Sequence, residues 1–279
     1  MIPVSYLFVP ADRLDRLDKA LASNADRVLV DLEDAVPAAR KDDARAQLAA
    51  ATLPLDRVMV RINGLGTQWS DADLDVIAHL GVRELMLPKA ETATAMQALG
   101  QRLPSSVSIV ALVETALGIW NALSVAQVVR VSRLAFGSLD FKVDAGIVGD
   151  GPELLYARSR LVLASRVAGL PPPIDGVTTV IGDTRRVEQD ALEARRLGFG
   201  AKLCIHPSQI DPVHRALQPS DDEFAWADAV LDAAAKAAGA AVQLDGRMVD
   251  RPEIERAMRI SAWRERRRPD SSPSVQEPR

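Results

Sequence analysis

Residues 27–34 read RVLVDLED, and residues 57–63 read RVMVRIN. Each segment is a short run of mostly aliphatic residues that ends in charged or amide side chains. The runs are nearly continuous in apolar residues rather than alternating, which is typical of parallel strands buried on both faces. Six more segments of this kind follow the same pattern: SYLFVP at 5–10, ELMLPKA at 84–90, SIVALVET at 108–115, RLAFGSLDF at 133–141, PPIDGVTTV at 172–180 and AKLCIHPSQ at 201–209.

Helical patterns separate these eight segments. Residues 14–23, 42–51 and 188–198 place apolar side chains at three- and four-residue spacing, as amphipathic helices do. Strand–helix units that repeat every 25 to 30 residues or so predict a (β/α)8 barrel, a fold that uses about 250 residues. An open doubly wound sheet alternates in the same way, but the turn PADRL at 10–14 is not a glycine-rich phosphate loop. We therefore expect an α/β protein of the TIM-barrel type with a C-terminal helical extension.

The pattern changes near the C-terminus. An alanine-rich helix is predicted over 221–238, and the motif DGRMVD follows at 245–250. The last residues are polar and rich in proline and serine, which is typical of disorder. We predict three segments: a barrel over 1–238, an extension over 239–264 that carries DGRMVD and could pack on a neighbouring subunit, and a disordered tail over 265–279.

Composition excludes several classes of protein. The 279 residues are 48% hydrophobic and carry a net charge of −4, which supplies a sizeable core and no basic footprint for nucleic acid. No apolar run reaches the roughly 18 residues of a membrane span, and the N-terminus lacks the features of a signal peptide. Cys204 is the only cysteine, so no intrachain disulfide is possible, and we expect it to pack inside the last strand. We expect a soluble, cytoplasmic protein that binds neither nucleic acid nor membrane.

Polar side chains lie at the carboxyl ends of seven consecutive predicted strands. The carboxyl ends of the strands of a (β/α)8 barrel converge on one mouth, where active sites lie. Each side chain alone has an ordinary explanation as a helix cap or a solvated charge, but burying all of them together is costly without a polar ligand or a metal. In strand order, from the second to the eighth, they are Asp31, Glu33 and Asp34; Arg61 and Asn63; Lys89; Glu114; Asp140; Asp175; and His206.

The residue types in this set favour a particular ligand. Glu114 and Asp140, on adjacent strands, offer carboxylate oxygens that suit a hard cation such as Mg²⁺, with Mn²⁺ as an alternative. Zinc is disfavoured because the chain has three histidines and no paired histidine motif; we interpret His79 and His214 as structural or exposed. Arg61 can present its planar guanidinium to a carboxylate. A divalent metal beside an arginine describes a site for a small oxo- or hydroxy-carboxylic acid.

Ten short motifs connect the chain to a known family. With them the sequence resembles the HpcH/HpaI aldolase and citrate lyase β-subunit family, and most closely its citrate lyase β-subunit-like branch. The resemblance runs in order from about residue 5 to residue 257. The motifs are YLFVP at 6, VDLEDAV at 30, KxxAR at 41, VRIN at 60, LPKAE at 87, VETALG at 113, FGSLDF at 136, IDGV at 174, LGFGAKLCIHPSQI at 197 and DGRMVDRP at 245.

The resemblance implies both a fold and a chemistry. Proteins of this family are (β/α)8 barrels that make or break a carbon–carbon bond beside a thioester or ketone with a divalent metal. Carried over by motif, it implies that Glu114 and Asp140 hold the metal and that Arg61 binds the carboxylate of an oxo acid. It also implies that Asp250 moves a proton at the thioester α-carbon, in the family often from the neighbouring subunit of a trimer. The alternative for Asp250 is a helix N-cap.

The remaining site residues receive supporting roles. We assign Lys89 to substrate binding together with Arg61, and we count Glu33 and Asp34 as catalytic residues that orient a metal-bound water or a substrate hydroxyl. The aldolase branch of the family has a histidine where this chain has Asp34, which favours the thioester lyases. The lyases in turn have an arginine at the place of Val4 and a glycine at the place of Ala11, near where the thioester carrier enters.

These observations lead to one hypothesis and three alternatives. The hypothesis is a Mg²⁺-dependent lyase that cleaves a 3-hydroxyacyl thioester, such as citryl-, malyl- or citramalyl-CoA, into a 2-oxo acid and an acyl thioester. The alternatives are a class II pyruvate-type aldolase, a malate-synthase-like condensing enzyme and a carrier-dependent or non-catalytic subunit of a citrate lyase complex. The expected partners are an acyl-CoA or acyl-carrier thioester and further copies of the chain, as a homotrimer. For the phosphates of the carrier, the sequence offers Arg13, Arg16, Lys19 and Lys41, unless these are solvated helix charges.

Overall fold

The structure, a computed structural model, describes residues 2–236, 242–244 and 247–267. These residues form two compact units that divide between Leu217 and Gln218. Within the described part of the chain, no helix combines the length and the apolar composition that a membrane span requires.

The first unit is a closed barrel of eight parallel strands, which confirms the expected (β/α)8 fold. Each strand pairs with the next in sequence, and β8 returns to β1 through the Ser5↔Lys202 register. The strands are β1 (Ser5–Pro10), β2 (Arg27–Asp31), β3 (Val58–Arg61), β4 (Glu84–Leu87), β5 (Ser108–Val113), β6 (Val131–Phe136), β7 (Ile174–Asp175) and β8 (Ala201–Cys204).

Helices follow every strand of the barrel. They are α1 (Leu17–Leu21), α2 (Lys41–Ala50), α3 (Ser70–Leu80), α4 (Ala93–Arg102), α5 (Ala116–Trp120), α6 (Ala122–Ala126), α7 (Ser138–Ala145), α8 (Leu155–Val167), α9 (Thr184–Leu197) and α10 (Ile210–Leu217). Short 3₁₀ helices occupy Ala11–Arg16, Ala38–Arg40, Pro152–Leu154 and Pro207–Gln209. Helix α9 ends at Leu197 and is followed by Gly198, whose φ of 102° suits a residue without a Cβ atom.

Side chains from alternate positions of the strands fill the barrel. Successive residues of β2, such as Val28, Leu29 and Val30, are all fully buried, because one face packs inside the barrel and the other against helices. Cys204 is buried at the end of β8, and burial raises the pKa of its thiol to about 12, so this side chain packs rather than reacts. The interior cluster consists of Tyr6, Leu29, Met59, Met86, Val110, Leu112, Ala135, Ile174, Ala201 and Leu203.

A buried arginine closes the amino end of the barrel. Arg133, on β6, donates from Nε to the carbonyl oxygen of Pro172 and from Nη1 to that of Pro3, both at 2.7 Å. Its Nη1 also donates to the hydroxyl of Tyr6. This cation therefore links three segments at the end of the barrel opposite to the predicted site.

The second unit contains α11 (Asp221–Lys236), the antiparallel strands β9 (Val242–Leu244) and β10 (Arg247–Val249), and α12 (Arg251–Arg267). Its core joins α11, β10 and α12 through Phe224, Ala227, Val230, Val249, Ala257 and Ile260. The alanine-rich helix belongs to this unit because its apolar face packs on α12. The three predicted segments stay predictions: Asp245 and Gly246 of DGRMVD and residues 268–279 of the tail lie outside the described residues, and α12 runs to Arg267.

Candidate active site

A cavity of about 780 Å³ opens at the carboxyl ends of the strands. It is the place where a (β/α)8 barrel carries its active site. Four of the predicted site residues line it together: Asp34, Arg61, Glu114 and Asp140. Five further polar residues line the same cavity: Arg16, Lys19, Asp31, Ser138 and His206.

Glu114 directly follows β5 and points its carboxylate into a nearly dry environment. The residue is 2% exposed, and its Oε1 accepts the backbone N–H of Lys89 at 2.9 Å. Burial, reinforced by the negative charge of Glu33, raises the pKa of Glu114 to about 8. A carboxylate in this position is costly to ionise, and a bound cation would offset that cost.

Asp140 lies in the first turn of α7, one turn beyond the strand end where the sequence placed it. It is half-buried and lines the cavity with Glu114. Among the described residues, no group of three or more His, Cys, Asp or Glu side chains is placed to hold a metal ion. Two carboxylates with open space beside them fit Mg²⁺, which keeps several waters and takes its other oxygens from substrate. The donor set present therefore fits the expected metal.

The turns that carry Glu114 and Asp140 pack directly against each other at Gly137. A Cβ atom on Gly137 would lie 2.3 Å from Oε2 and 2.4 Å from Cβ of Glu114. Real Cβ atoms do not approach other heavy atoms so closely, so only glycine leaves Glu114 in this position.

We expect Gly137→Ala to displace the Glu114 carboxylate and to weaken Mg²⁺ binding about tenfold or more, in line with changes to groups that orient a metal ligand. Overpacking should also cost about 1–3 kcal/mol of folding free energy. Calorimetric titration with Mg²⁺ and thermal unfolding measure the two effects. Gly182→Ala is the matched control because a Cβ atom there meets no other atom within 4 Å. Equal Mg²⁺ affinity in the two variants would contradict the expected displacement.

Arg61 is anchored by the carboxylate of Asp31, a strand-end residue with no role predicted from the sequence. Its Nε and Nη2 donate to Asp31 Oδ1 at 2.8 Å and Oδ2 at 2.7 Å, in a bidentate pair. Its Nη1 lies 3.0 Å from Glu33 Oε2, an ion-pair contact that leaves this buried oxygen without a hydrogen bond from the described residues. Asp31 therefore occupies one edge of the guanidinium, and only the remaining N–H groups can meet a ligand.

Lys89 joins two of the carboxylates. Its Nζ lies 3.1 Å from Glu33 Oε1, and its backbone N–H binds Glu114. The φ angle of 49° places Lys89 in the left-handed region, which is uncommon for a residue with a side chain and is a feature of strained functional sites. Lys89 and Glu33 line a neighbouring cavity of about 560 Å³, and Asp34 lines both cavities.

Asp250 lies in the C-terminal unit, at the start of α12. Its Oδ1 accepts the backbone N–H of Glu253 at 3.2 Å, so the N-cap that the sequence suggests is present. The side chain is exposed. Its part in proton transfer stays a prediction.

The four basic residues considered for phosphate binding lie in different surroundings. Arg16 and Lys19 line the main cavity, whereas Arg13 pairs with Asp15 on the surface. Lys41 is 5% exposed. The interpretation of Lys41 as a solvated charge is therefore wrong, and its interpretation as a phosphate ligand stays a prediction.

Asp175 and His206 complete the set of strand-end residues. Asp175 pairs with Arg158 at 3.0 Å and with Lys202 at 3.1 Å, beside a separate cavity of about 300 Å³. The Nδ1 atom of His206 accepts the backbone N–H of Ser208 at 3.2 Å. A backbone amide can only donate, so this contact requires an unprotonated Nδ1 and leaves the proton of the neutral ring on Nε2.

Comparisons with known proteins show the family to which the chain is related. Residues 4–207 match the family model described as HpcH/HpaI aldolase/citrate lyase. The citrate lyase subunit beta-like protein of Deinococcus radiodurans is 37% identical over 271 residues, which cover 91% of this chain and 94% of that protein. The (3S)-malyl-CoA thioesterase of Cereibacter sphaeroides is 30% identical over 277 residues, which cover 93% and 96% of the two chains.

A solved structure extends the similarity to three dimensions. CitE from Mycobacterium tuberculosis, in complex with magnesium, acetoacetate and coenzyme A, has a TM-score of 0.84 and 34% sequence identity. The similarity covers 93% of this chain and 98% of that one. The chain therefore belongs to the HpcH/HpaI aldolase/citrate lyase family, in the branch of the citrate lyase β-subunit-like proteins that its motifs indicate.

Proposed function

We propose that the chain is a Mg²⁺-dependent carbon–carbon lyase that cleaves a 3-hydroxyacyl thioester into a 2-oxo acid and an acyl thioester. One observation carries the proposal: the buried Glu114 and the Asp140 carboxylate share a cavity with the anchored guanidinium of Arg61. A 2-oxo acid requires a metal ion, which Glu114 and Asp140 can bind, and a cation for its carboxylate, which Arg61 supplies. The complex of the M. tuberculosis protein with magnesium, acetoacetate and coenzyme A supports this choice of metal and ligands.

The proposed roles follow the positions of the side chains. Glu114 and Asp140 would hold Mg²⁺, with Mn²⁺ as the alternative, and the metal would act as a Lewis acid toward the oxygens of the substrate. Arg61 would bind the substrate carboxylate with the N–H groups that Asp31 leaves free, and Lys89 would contribute from the side of Glu33. Asp34 and Glu33 would orient a water or the substrate hydroxyl through their carboxylate oxygens.

In the proposed cleavage, the hydroxyl oxygen loses a proton, the α-carbon gains one, and the electron pair of the C2–C3 bond moves to the α-carbon. The C3 hydroxyl would pass its proton to one of the carboxylates that orient it, Asp34 or Glu33; its oxygen becomes the carbonyl of the 2-oxo acid, and the C2–C3 bond breaks. The bond electrons pass to the α-carbon of the thioester, which becomes an enolate. Asp250 in its protonated form would then deliver a proton to that carbon and yield the acyl thioester, and exchange with water would restore both carboxyl groups.

The carrier of the thioester is proposed to enter beside the first strand. Arg16 and Lys19 line the main cavity, where their charges can meet the phosphates of coenzyme A or of a carrier-protein prosthetic group. Val4 and Ala11, the two positions that differ from the lyase pattern, are both buried. Their side chains are therefore part of the packing around β1.

Thioester hydrolysis is the second candidate function. The similarity to the (3S)-malyl-CoA thioesterase of C. sphaeroides favours it, because hydrolysis and cleavage can use the same metal, carboxylates and carrier site. Release of free coenzyme A from malyl-CoA without release of glyoxylate would identify this activity.

We also propose that the chain forms a homo-oligomer, and specifically a homotrimer. Large apolar side chains are exposed on three helices, of which α5 contacts both α7 and α8: Leu117 and Trp120 on α5, Val143 on α7, and Tyr156 and Leu163 on α8. Groups of exposed apolar side chains on neighbouring elements mark interaction sites, whereas single exposed apolar residues do not. The cytoplasmic location expected from the sequence stays a prediction.

A cleavage assay tests the proposed function. Citryl-, malyl- and citramalyl-CoA are each incubated with the chain, with and without Mg²⁺, and the released 2-oxo acid is measured. We expect metal-dependent release from at least one of the three. Cleavage that is equally fast after removal of metal by EDTA would contradict the proposal, and activity only beside an acyl-carrier protein would indicate a subunit of a larger lyase complex.

The raised pKa of Glu114 predicts that Mg²⁺ binding depends on pH. When the pH is below its pKa of about 8, the carboxyl group of Glu114 holds a proton that Mg²⁺ must displace. The apparent dissociation constant should therefore rise by up to about tenfold for each unit that the pH falls below 8, and it should level off above 8. Titration calorimetry in buffers from about pH 6 to about pH 9 measures it, together with the protons released. A dissociation constant that does not change over this range would contradict the prediction.

A further inference from the structure

A buried lysine lies directly behind the carboxyl ends of β2 and β3. Lys41 is the first residue of α2, and its Nζ donates to the backbone oxygens of Leu32 and Glu33, both at 2.8 Å, and to Asn63 Oδ1 at 2.7 Å. An ammonium group has three N–H donors, and all three are used. Lys41 thus donates hydrogen bonds to two successive carbonyl groups of the loop after β2.

The loop that Lys41 binds also holds Asp31, the residue that pairs with Arg61. The backbone N–H of Glu33 donates to Asp31 Oδ1 at 2.9 Å, and that of Ala35 donates to Oδ2 at 3.1 Å. The same two oxygens accept the bidentate pair from Arg61. The position of the guanidinium therefore depends on the loop through Asp31.

Asn63, the third acceptor of Lys41, is fixed by a second buried carboxylate, that of Asp73. Asp73 Oδ2 accepts the side-chain amide of Asn63 at 2.7 Å and its backbone N–H at 2.8 Å. Asp73 Oδ1 accepts Nε of Arg45 at 2.9 Å. Asn63 is thereby held by α3 and α2, so the third acceptor of Lys41 cannot shift freely.

An apolar side chain would fill this place without the cost of burying a charge. Lys41 instead donates to two carbonyl groups and an amide at once, which points to a demand for loop geometry rather than for stability. Lys41 lines the neighbouring cavity and not the main one, and the loop and Asn63 take all three of its N–H donors, so it acts through the loop.

We propose that Lys41 is a positioning residue: it holds the 32–35 loop so that Asp31 sets the guanidinium of Arg61 for a substrate carboxylate. The inference rests on the proposed function, in which Arg61 binds the carboxylate of a 2-oxo acid.

The test measures pyruvate binding by calorimetry in the full chain with saturating Mg²⁺, and Mg²⁺ binding alone. Lys41→Met should weaken pyruvate binding about 10- to 100-fold, the range for residues that orient a binding group. Mg²⁺ affinity should stay within about twofold, because Glu114 and Asp140 are carried by other turns. Arg133→Met is the matched control, since it removes a buried cation from backbone carbonyls at the opposite end of the barrel. It should lower the unfolding temperature and leave pyruvate binding unchanged.

A double-mutant cycle separates positioning from general stability. If Lys41 acts through Asp31, the losses in pyruvate affinity from Lys41→Met and Asp31→Asn are not additive, and the double variant is little weaker than Asp31→Asn alone. Additive losses would overturn the inference, as would unchanged pyruvate affinity in Lys41→Met. Should Lys41→Met fail to fold, Lys41→Arg keeps the charge but moves the donors, and it is expected to weaken pyruvate binding alone. Equal affinity in that variant would overturn the inference.

The same measurements distinguish this inference from the proposed function. A wild-type chain that binds no pyruvate with Mg²⁺ present, or an Arg61→Met variant that binds it as well as wild type, would overturn the proposed function and this inference with it. Pyruvate binding that depends on Arg61 but not on Lys41 would overturn the inference alone.

Discussion

Glu114→Gln is expected to abolish Mg²⁺-dependent cleavage while the chain stays folded. Glutamine has the shape of the protonated carboxyl group, and its oxygen can still accept the backbone N–H of Lys89. It carries no charge to bind the metal, whose stabilisation of developing charge is worth several kcal/mol. A loss of that size corresponds to about 10³-fold or more in kcat. Since the pKa of Glu114 is raised to about 8 by burial, the variant should be at least as stable as the metal-free wild type near neutral pH.

Steady-state kinetics, Mg²⁺ calorimetry and thermal unfolding together check this result. Glu84→Gln is the matched control, because Glu84 lies on the adjacent strand β4 at the amino end, where its Oε1 accepts the hydroxyl of Ser132. That variant should keep wild-type Mg²⁺ affinity and activity. A Glu114→Gln or Glu114→Ala variant that cleaves at the wild-type rate and is insensitive to EDTA would refute the metal assignment.

Asp250→Asn is expected to lower kcat by about 10²–10⁴-fold, the range for loss of a general acid. Asparagine is as good an N-cap as aspartate, so α12 should keep its first turn and the unfolding temperature should not change. Asp250→Ala removes the cap as well and should also destabilise the C-terminal unit by about 0.5–2 kcal/mol. The comparison separates the two roles that the sequence left open for this residue.

Rates and unfolding temperatures of the two Asp250 variants supply the measurement. Asp221→Asn is the control, since it neutralises an exposed carboxylate in the first turn of α11 in the same unit. The Asp221→Asn variant should change neither the rate nor the unfolding temperature. Activity that falls only in Asp250→Ala, in step with stability, would leave Asp250 as a cap and nothing more.

The barrel was predictable from the sequence because its signal is local. A strand that is buried on both faces must be apolar along its whole length, and eight such runs, each followed by a helix pattern, have few ways to pack. The predicted segments run beyond the strands, however. Strand β2 ends at Asp31 and β6 ends at Phe136, so Glu33 lies in a loop and Asp140 in a helix. Polar residues after an apolar run mark the end of a strand, and they do not say where the hydrogen-bonded ladder stops.

The sequence by itself determined the fold and the family, and it identified six of the polar side chains that line the main cavity. Its motifs carry this information in consecutive residues. Only the tertiary structure decided which partner each side chain takes: Asp31 holds Arg61 across 30 residues of chain, and Glu114 binds the backbone of Lys89 across 25. Lys41 looked like a solvated helix charge and is buried behind the site. Such pairs form because barrel closure brings separate strand ends within hydrogen-bonding distance, where a buried charge must find a partner.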